Sequence, residues 1–459
     1  MLSIGSAAET RDCAGIRRRD VLRIGSLSLG GLTLADLLAA RAAAKENPLR
    51  DKSIVLLFLT GGPSQIETFD PKGSAPAEFR SVTGEIATAL PGVTFGGTFT
   101  GLAERADRLA VVRSFTHDIA DHTLAVEQVI RGGNPIHKAG MGSVAARLRA
   151  LVRPTAGIPW QIYSGAAEVD RQFDKERLRL LAAAGPGELG GGYAPFAIGG
   201  DAELQSDMEL NVPRGRLDDR RGLQLALDRQ RAALEGDGGP RGGGSFDAQA
   251  LDLLLGQAKT AFDLSDEDPR LIARYDTSRF LTGIWTDRPS TLGHQLLLAR
   301  RLCEAGCGFV TIHNAGWDMH GGPTQMNMPV GMRRLGTPVD VAVSTFLDDV
   351  SERGLSERIL FILTGEFGRS PRVHEHGGRD HWPRLSTLAF AGGGLPMGQV
   401  IGRSTSKAEE PHGDPVTPEN LLGTVLHTLF DVSALRARPD LPRDLLSLID
   451  RSPPIRELV

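Results

Sequence analysis

The sequence predicts an α/β fold, a doubly wound and mostly parallel sheet with helices on both faces. Three observations predict it. Short unbroken apolar runs recur at 53–59, 109–113, 308–312, 359–363 and 386–391, and such runs read as strands, buried on both faces where continuous. Helix-length amphipathic segments lie between them, as expected of strand–helix–strand crossovers. Four of the runs lead directly into polar clusters, at 60–70, 114–123, 313–320 and 366–381. Parallel strands all end on one side, so these clusters converge on one sheet edge, where α/β sheets bind ligands.

Taken in order, Arg17-Arg18-Arg19 precedes a mild apolar stretch, 24–38, and an Ala-rich one, 39–44. A basic, then apolar, then small-residue order reads as a secretory signal, and the paired arginines match the twin-arginine route. Residues 1–45 are therefore expected to lie outside the fold, which spans 50–455 as one domain. The protein is expected in the periplasm or outside the cell, carried there by the twin-arginine machinery, with membrane association if the signal is retained.

Ser53 to Leu59 runs into Thr60-Gly61-Gly62-Pro63-Ser64-Gln65-Ile66-Glu67-Thr68-Phe69-Asp70. Gly61 and Gly62 permit a tight turn and close backbone approach to a ligand. Ser64, Glu67 and Asp70 supply oxygens for a cation or an oriented substrate. After the 109–113 strand, Asp121-His122-Thr123 opens a helix, 123–130. Free N–H groups and the positive dipole end favour an anion there, unless Asp121 or Thr123 simply caps the helix.

A helix is expected over 140–152. The segment 155–290 becomes irregular, with a Gly-rich stretch at 185–200, helices at 217–234 and 246–262, and a flexible link at 235–245; it reads as an insertion or cap. Order returns with a helix at 292–305, the 308–312 strand, and His313 to His320, where Asp318 and His320 can face one cation. A helix at 339–353 leads to the 359–363 strand and a loop carrying nine ionisable side chains: Glu366, Arg369, Arg372, His374, Glu375, His376, Arg379, Asp380 and His381. A further strand at 386–391 and a helix at 418–430 follow.

Composition sets outer bounds. The chain has 459 residues, 41% apolar and 24% charged, with net charge −4. These are globular values that argue against disorder and against non-specific nucleic-acid binding. No apolar stretch is long enough to span a bilayer. Cys13, Cys303 and Cys307 cannot form a disulfide framework, and Cys303 and Cys307, four apart on one helix, read as small core residues.

The stretches 17–38, LLFLTGGPSQIETFDPK, AFDLSDED, ARRLCEAG, GWDMH, TGEFGRSP and GRDHWP together resemble the DUF1501 family of exported bacterial proteins. The resemblance implies an alkaline phosphatase-like core, shared with sulfatases, phosphatases and phosphopentomutase-type enzymes. It places Thr60 at the strand end where the superfamily has an acidic metal ligand, with Gln65 and Glu67 where relatives have His and Asp. It puts the superfamily nucleophile position at His122 or Thr123. Asp318 and His320 match the Asp-His pair before the long helix. Glu366 and Phe367 stand in place of the strand-end Asp-His pair. His381, beside Asp380, matches the final metal His, and 415–422 resembles the segment before the last helix.

Two functions follow as expectations. The first is an exported hydrolase of phosphate or sulfate esters, on a small-molecule or glycan substrate, that uses a divalent metal ion (Zn, Mn, Ca or Mg). Asp318, His320, Glu366, Asp380 and His381 would hold the metal. Arg369 or Arg379 would bind the oxyanion, and Thr123 or a cation-activated water would attack. The second is a non-catalytic exported binding or assembly protein that keeps the fold.

Overall fold

The computed structural model describes residues 47–152, 158–165, 171–198, 258–284, 286–323 and 325–459, with a few isolated residues between 215 and 226. The proposed signal, the link at 235–245 and most of the helices expected at 217–234 and 246–262 lie outside these residues.

The strands are β1 (Ser53–Leu59), β2 (Glu85–Ala87), β3 (Thr94–Gly96), β4 (Ala110–Val112), β5 (Gln161–Ser164), β6 (Phe196–Ile198), β7 (Leu281–Thr282), β8 (Arg288–Pro289), β9 (Phe309–Asn314), β10 (Ile359–Thr364), β11 (Gly368–Arg369), β12 (His381–Trp382), β13 (Leu388–Gly392) and β14 (Gln399–Ile401). Eight of them form one sheet in the order β14-β4-β13-β10-β1-β9-β5-β6. All adjacent pairs are parallel except those on either side of β13, which runs opposite to its neighbours β10 and β4. The helices of nine residues or more among the described residues are α1 (His122–Ile130), α2 (Met141–Val152), α3 (Asp174–Ala184), α4 (Leu292–Glu304), α5 (Thr337–Glu352), α6 (Pro418–Leu429) and α7 (Arg443–Arg451).

β1 explains why its run carries no polar residue after Ser53. Alternate side chains go to opposite faces. Val55, Leu57 and Leu59 join Leu296 of α4 and Val339 and Phe346 of α5 in one core. Ile54, Leu56 and Phe58 join Val126 of α1, Val144 of α2, Leu180 of α3, Leu421 of α6 and Leu448 of α7 in the other. Each such buried side chain contributes about 1.5–3 kcal/mol. Cys303 and Cys307 are buried, and Cys303 belongs with Cys307 to the first core.

Register brings the strand ends level. Leu59 pairs with Asn314 and Phe58 with Thr364. Thr364 pairs with Leu388, which pairs in turn with Val112. The segments after β1, β4, β9 and β10 therefore leave the sheet from one edge.

Three expectations change. The segment 155–290 is more than a cap, because β5 and β6 extend the central sheet. Strand β9 continues past Ile312, so His313 lies inside a buried strand rather than in the loop. The ionisable loop after β10 is also partly ordered, since β11 and β12 pair as an antiparallel ribbon.

Candidate metal centre

Asp121 opens α1. Its Oδ1 accepts from the backbone N–H of Thr123 at 2.9 Å and of Leu124 at 3.0 Å. Capping thus wins over the anion site, because it takes the N–H groups that an anion would need. His122, the first residue of the helix, turns toward the loops after β9 and β10.

Three imidazoles converge on one carboxylate oxygen there. Asp318 Oδ1 lies 3.4 Å from His122 Nε2, 3.0 Å from His320 Nε2 and 3.2 Å from His381 Nε2. The two Nε2 atoms of His320 and His381 are 3.0 Å apart. One nitrogen each from His122 and His381 and one Asp318 oxygen lie mutually within 4.8 Å. These side chains are 20–28% exposed, so solvent reaches the cluster.

The outward nitrogens have partners that fix the inward ones. His122 Nδ1 meets Glu366 Oε1 at 2.8 Å, His320 Nδ1 meets Asp380 Oδ1 at 3.3 Å, and His381 Nδ1 meets the Ala120 carbonyl oxygen at 2.9 Å. A carbonyl or carboxylate oxygen accepts only, so each Nδ1 is assigned the proton and each neutral ring turns its Nε2 lone pair inward. Outward hydrogen bonds of this kind orient imidazoles that bind metal. Three lone pairs around a carboxylate oxygen call for a cation or a proton.

The electrostatics agree. Burial alone would lower His122, but hydrogen bonds to Asp318 and Glu366 outweigh it and raise its pKa to about 9. Burial would raise Asp318, yet the three imidazoles around it and the Arg369 charge hold it well below the carboxylate range. The carboxylates of Asp318 and Glu366 thus favour positive charge at His122, the sign a cation would supply. Glu366 Oε2 is buried and has no hydrogen-bond partner.

The glycines serve packing. Gly61, at φ +112°, would place a Cβ 2.4 Å from the Asp318 nitrogen, and Gly62, at φ +83°, one 2.6 Å from the Phe367 ring. The Gly61 N–H donates to Glu366 Oε1 at 2.8 Å. Phe367 walls the cluster, its ring centre 4.5 Å from His381 and 5.0 Å from His122.

Other expected residues take structural roles, and neither Arg369 nor Arg379 is placed to bind an oxyanion. Arg369 is fully buried and donates to the carbonyls of Gly61, Gly62 and Arg379 and to Asp318, so it braces the ligand oxygen from behind. Arg379 is fully buried against Glu67 at 3.2 Å, and donates also to the carbonyls of Ser370, Pro371 and Arg80. Glu67 accepts in addition from Ser81, Val82 and Thr83. Ser64 Oγ accepts from the Glu67 N–H at 3.3 Å. Asp70 is held by Lys72, Arg113 and Ser404. Thr123 is exposed on the first turn of α1, and among the described residues no Ser or Thr hydroxyl bonds to His122, Asp318, His320 or His381.

Two residues were read from the sequence only as members of their clusters, with no role of their own. His117 donates from Nε2 to the Glu366 carbonyl and accepts the Ile119 N–H at Nδ1, 3.1 Å away. Its only sequence signal is its place in the 114–123 cluster. His313, fully buried, shares a 2.6 Å contact with Thr60 Oγ1, so the Thr60 hydroxyl turns to the strand rather than to the cluster.

Residues 51–439 match the family model described as "Protein of unknown function (DUF1501)". No curated protein matches the chain. Similar solved structures include a PsFucS1 sulfatase from Pseudoalteromonas sp. (13% identity, 91% of this chain and 77% of that one, TM-score 0.35). A phosphonate monoester hydrolase from Silicibacter pomeroyi shares 10% identity over 82% of this chain and 73% of that one (TM-score 0.34). An alkaline phosphatase superfamily protein from Vibrio parahaemolyticus shares 10% identity over 90% and 81% (TM-score 0.35). Likeness at this distance carries no functional argument.

Proposed function

The chain belongs to the DUF1501 family, and from that premise we propose that it is an exported, metal-dependent hydrolase of phosphate or sulfate esters. One observation carries the reading: three imidazole Nε2 atoms surround Asp318 Oδ1 while their Nδ1 atoms are held from outside. His122, Asp318, His320 and His381 would hold the cation. Three nitrogens and one oxygen suit Zn²⁺ better than Ca²⁺, Mg²⁺ or Mn²⁺, which prefer oxygen ligands. When bound, the cation supplies Lewis-acid polarisation of the ester oxygen.

The chain's own residues do the rest. Glu366 and Asp380 orient His122 and His320, and Ala120 orients His381. Arg369 holds Asp318 from the buried side. Phe367 keeps water from one flank of His122 and His381. In this reading water is the attacking group, and Thr123, exposed on the first turn of α1, belongs to the helix start.

Export is the second part of the reading. It rests on Arg17-Arg18-Arg19 before the apolar stretch. Replacing the three arginines by lysine should retain the protein in the cytoplasm, as fractionation would show.

Turnover tests the chemistry. The purified protein should hydrolyse 4-nitrophenyl phosphate or sulfate with added Zn²⁺ or Mn²⁺, and His320→Ala should abolish it. Turnover equal in His320→Ala would contradict the reading. Metal binding without turnover of either ester would favour the non-catalytic binding role.

A further inference from the structure

A depression of about 690 Å³ lies across the β11–β12 ribbon from the cluster, lined among others by Phe79, Arg372, His374, Glu375, Asp380 and Trp382. Its size is that of a small-molecule site. Neighbouring residues of a strand face opposite ways, so β12 turns His381 to the cluster and Trp382 to the depression. Asp380 borders both. Its Oδ1 lies 3.3 Å from His320 Nδ1 and 3.5 Å from His374 Nε2.

The walls are held in place. The Val373 N–H donates to the Glu78 carbonyl at 2.8 Å and the Ser370 N–H to the Asp380 carbonyl at 2.8 Å. Trp382 Nε1 donates to the Glu409 carbonyl at 2.7 Å, which satisfies its polar edge, and its half-buried ring packs on Ile66, Leu385 and Ala408 while lining the depression. The Lys407 ammonium sits 4.7 Å from the centre of the Phe79 ring.

The remaining groups select the ligand. Arg372 and His374 donate, while Glu375 and Asp380 accept. Such a mixture suits hydroxyl groups, which do both. The carboxylates oppose a polyanion, and a purely apolar ligand would leave these groups unpaired. A sugar ring meets both demands, with an apolar C–H face for an aromatic side chain and hydroxyls at its rim.

We propose that this depression binds a neutral pyranose of a carbohydrate ester and presents the esterified end past Asp380 to the cluster. The assignment rests on the hydrolase reading for the ester but not for the sugar. The test uses the full chain, stripped of metal by chelation, on an array of neutral and sulfated oligosaccharides. Neutral glycans should be retained, and Trp382→Ala and Glu375→Ala should each weaken retention about tenfold or more, as loss of one good contact does. Glu375 is exposed, so its variant keeps the test valid if Trp382→Ala fails to fold. Retention of no glycan by the wild type, or retention by both variants equal to that of the wild type, overturns the proposal. Because the readout needs no metal, failure of the metal centre leaves it standing, and failure here leaves the metal centre standing.

Discussion

His381 faces Asp318 with its Nε2 3.2 Å from Oδ1, while its Nδ1 faces the Ala120 carbonyl oxygen at 2.9 Å. The backbone carbonyl can only accept, so the neutral ring sets a lone pair against a carboxylate oxygen. That contact is repulsive unless a cation or proton sits between the two atoms. Asp318→Asn removes the charge and should weaken Zn²⁺ binding more than about 100-fold, beyond the roughly 10–100-fold of an outer partner. Competition titration with a chromophoric chelator would measure it.

Asp380 reaches the cluster only through His320. Asp380→Asn should therefore weaken Zn²⁺ binding by about 10–100-fold without unfolding the chain, as loss of an orienting partner does. The same titration, with circular dichroism as the fold control, checks this.

Gly378 is where two site loops touch. A Cβ there would lie 1.7 Å from the His320 carbonyl oxygen, and the Arg379 N–H donates to the Met319 carbonyl at 3.2 Å alongside. Gly378→Ala should push the His320 loop away, costing about 1–3 kcal/mol as overpacking does. Thermal unfolding should show the loss, and Zn²⁺ affinity should fall with it.

The folded strand holds a histidine that resists protonation. Burial, helped by the Arg177 charge, lowers the His313 pKa to about 3 from 6.5. The unfolded chain binds the extra proton between those values, so stability is present above pH 6.5 and is lost as pH falls toward 3. His313→Gln should flatten this fall in an acid-unfolding series from pH 7 to pH 4.

Much of this was legible. The apolar runs at 53–59 and 359–363 announce β1 and β10, because a strand covered on both faces has no position for a charge. Convergence of the four clusters follows from parallel topology, and it brings Asp318, His320 and His381 together. Direction within the loops was not legible. Glu67 and Arg379 stand 312 positions apart and meet only in the fold, so each read alone as a free site residue. β5 and β6 are four and three residues long, too short for periodicity to stand out in an irregular segment. The place of His122 beside Asp318 needed the Asp121 cap to set where α1 begins.

Glu67 and Arg379 are both fully buried, and removing one partner leaves the other charge uncompensated. Arg379→Ala should cost about 3–5 kcal/mol in stability. Denaturant unfolding measures this, with the fraction still folded expected to keep near-native Zn²⁺ affinity, since Arg379 is not placed at the cluster.

The metal centre is tested most directly by elemental analysis of the purified protein and of Asp318→Asn after dialysis against Zn²⁺ and then against metal-free buffer. The account predicts about one bound metal per chain in the wild type and almost none in the variant. Equal metal in both, or none in the wild type, would contradict it.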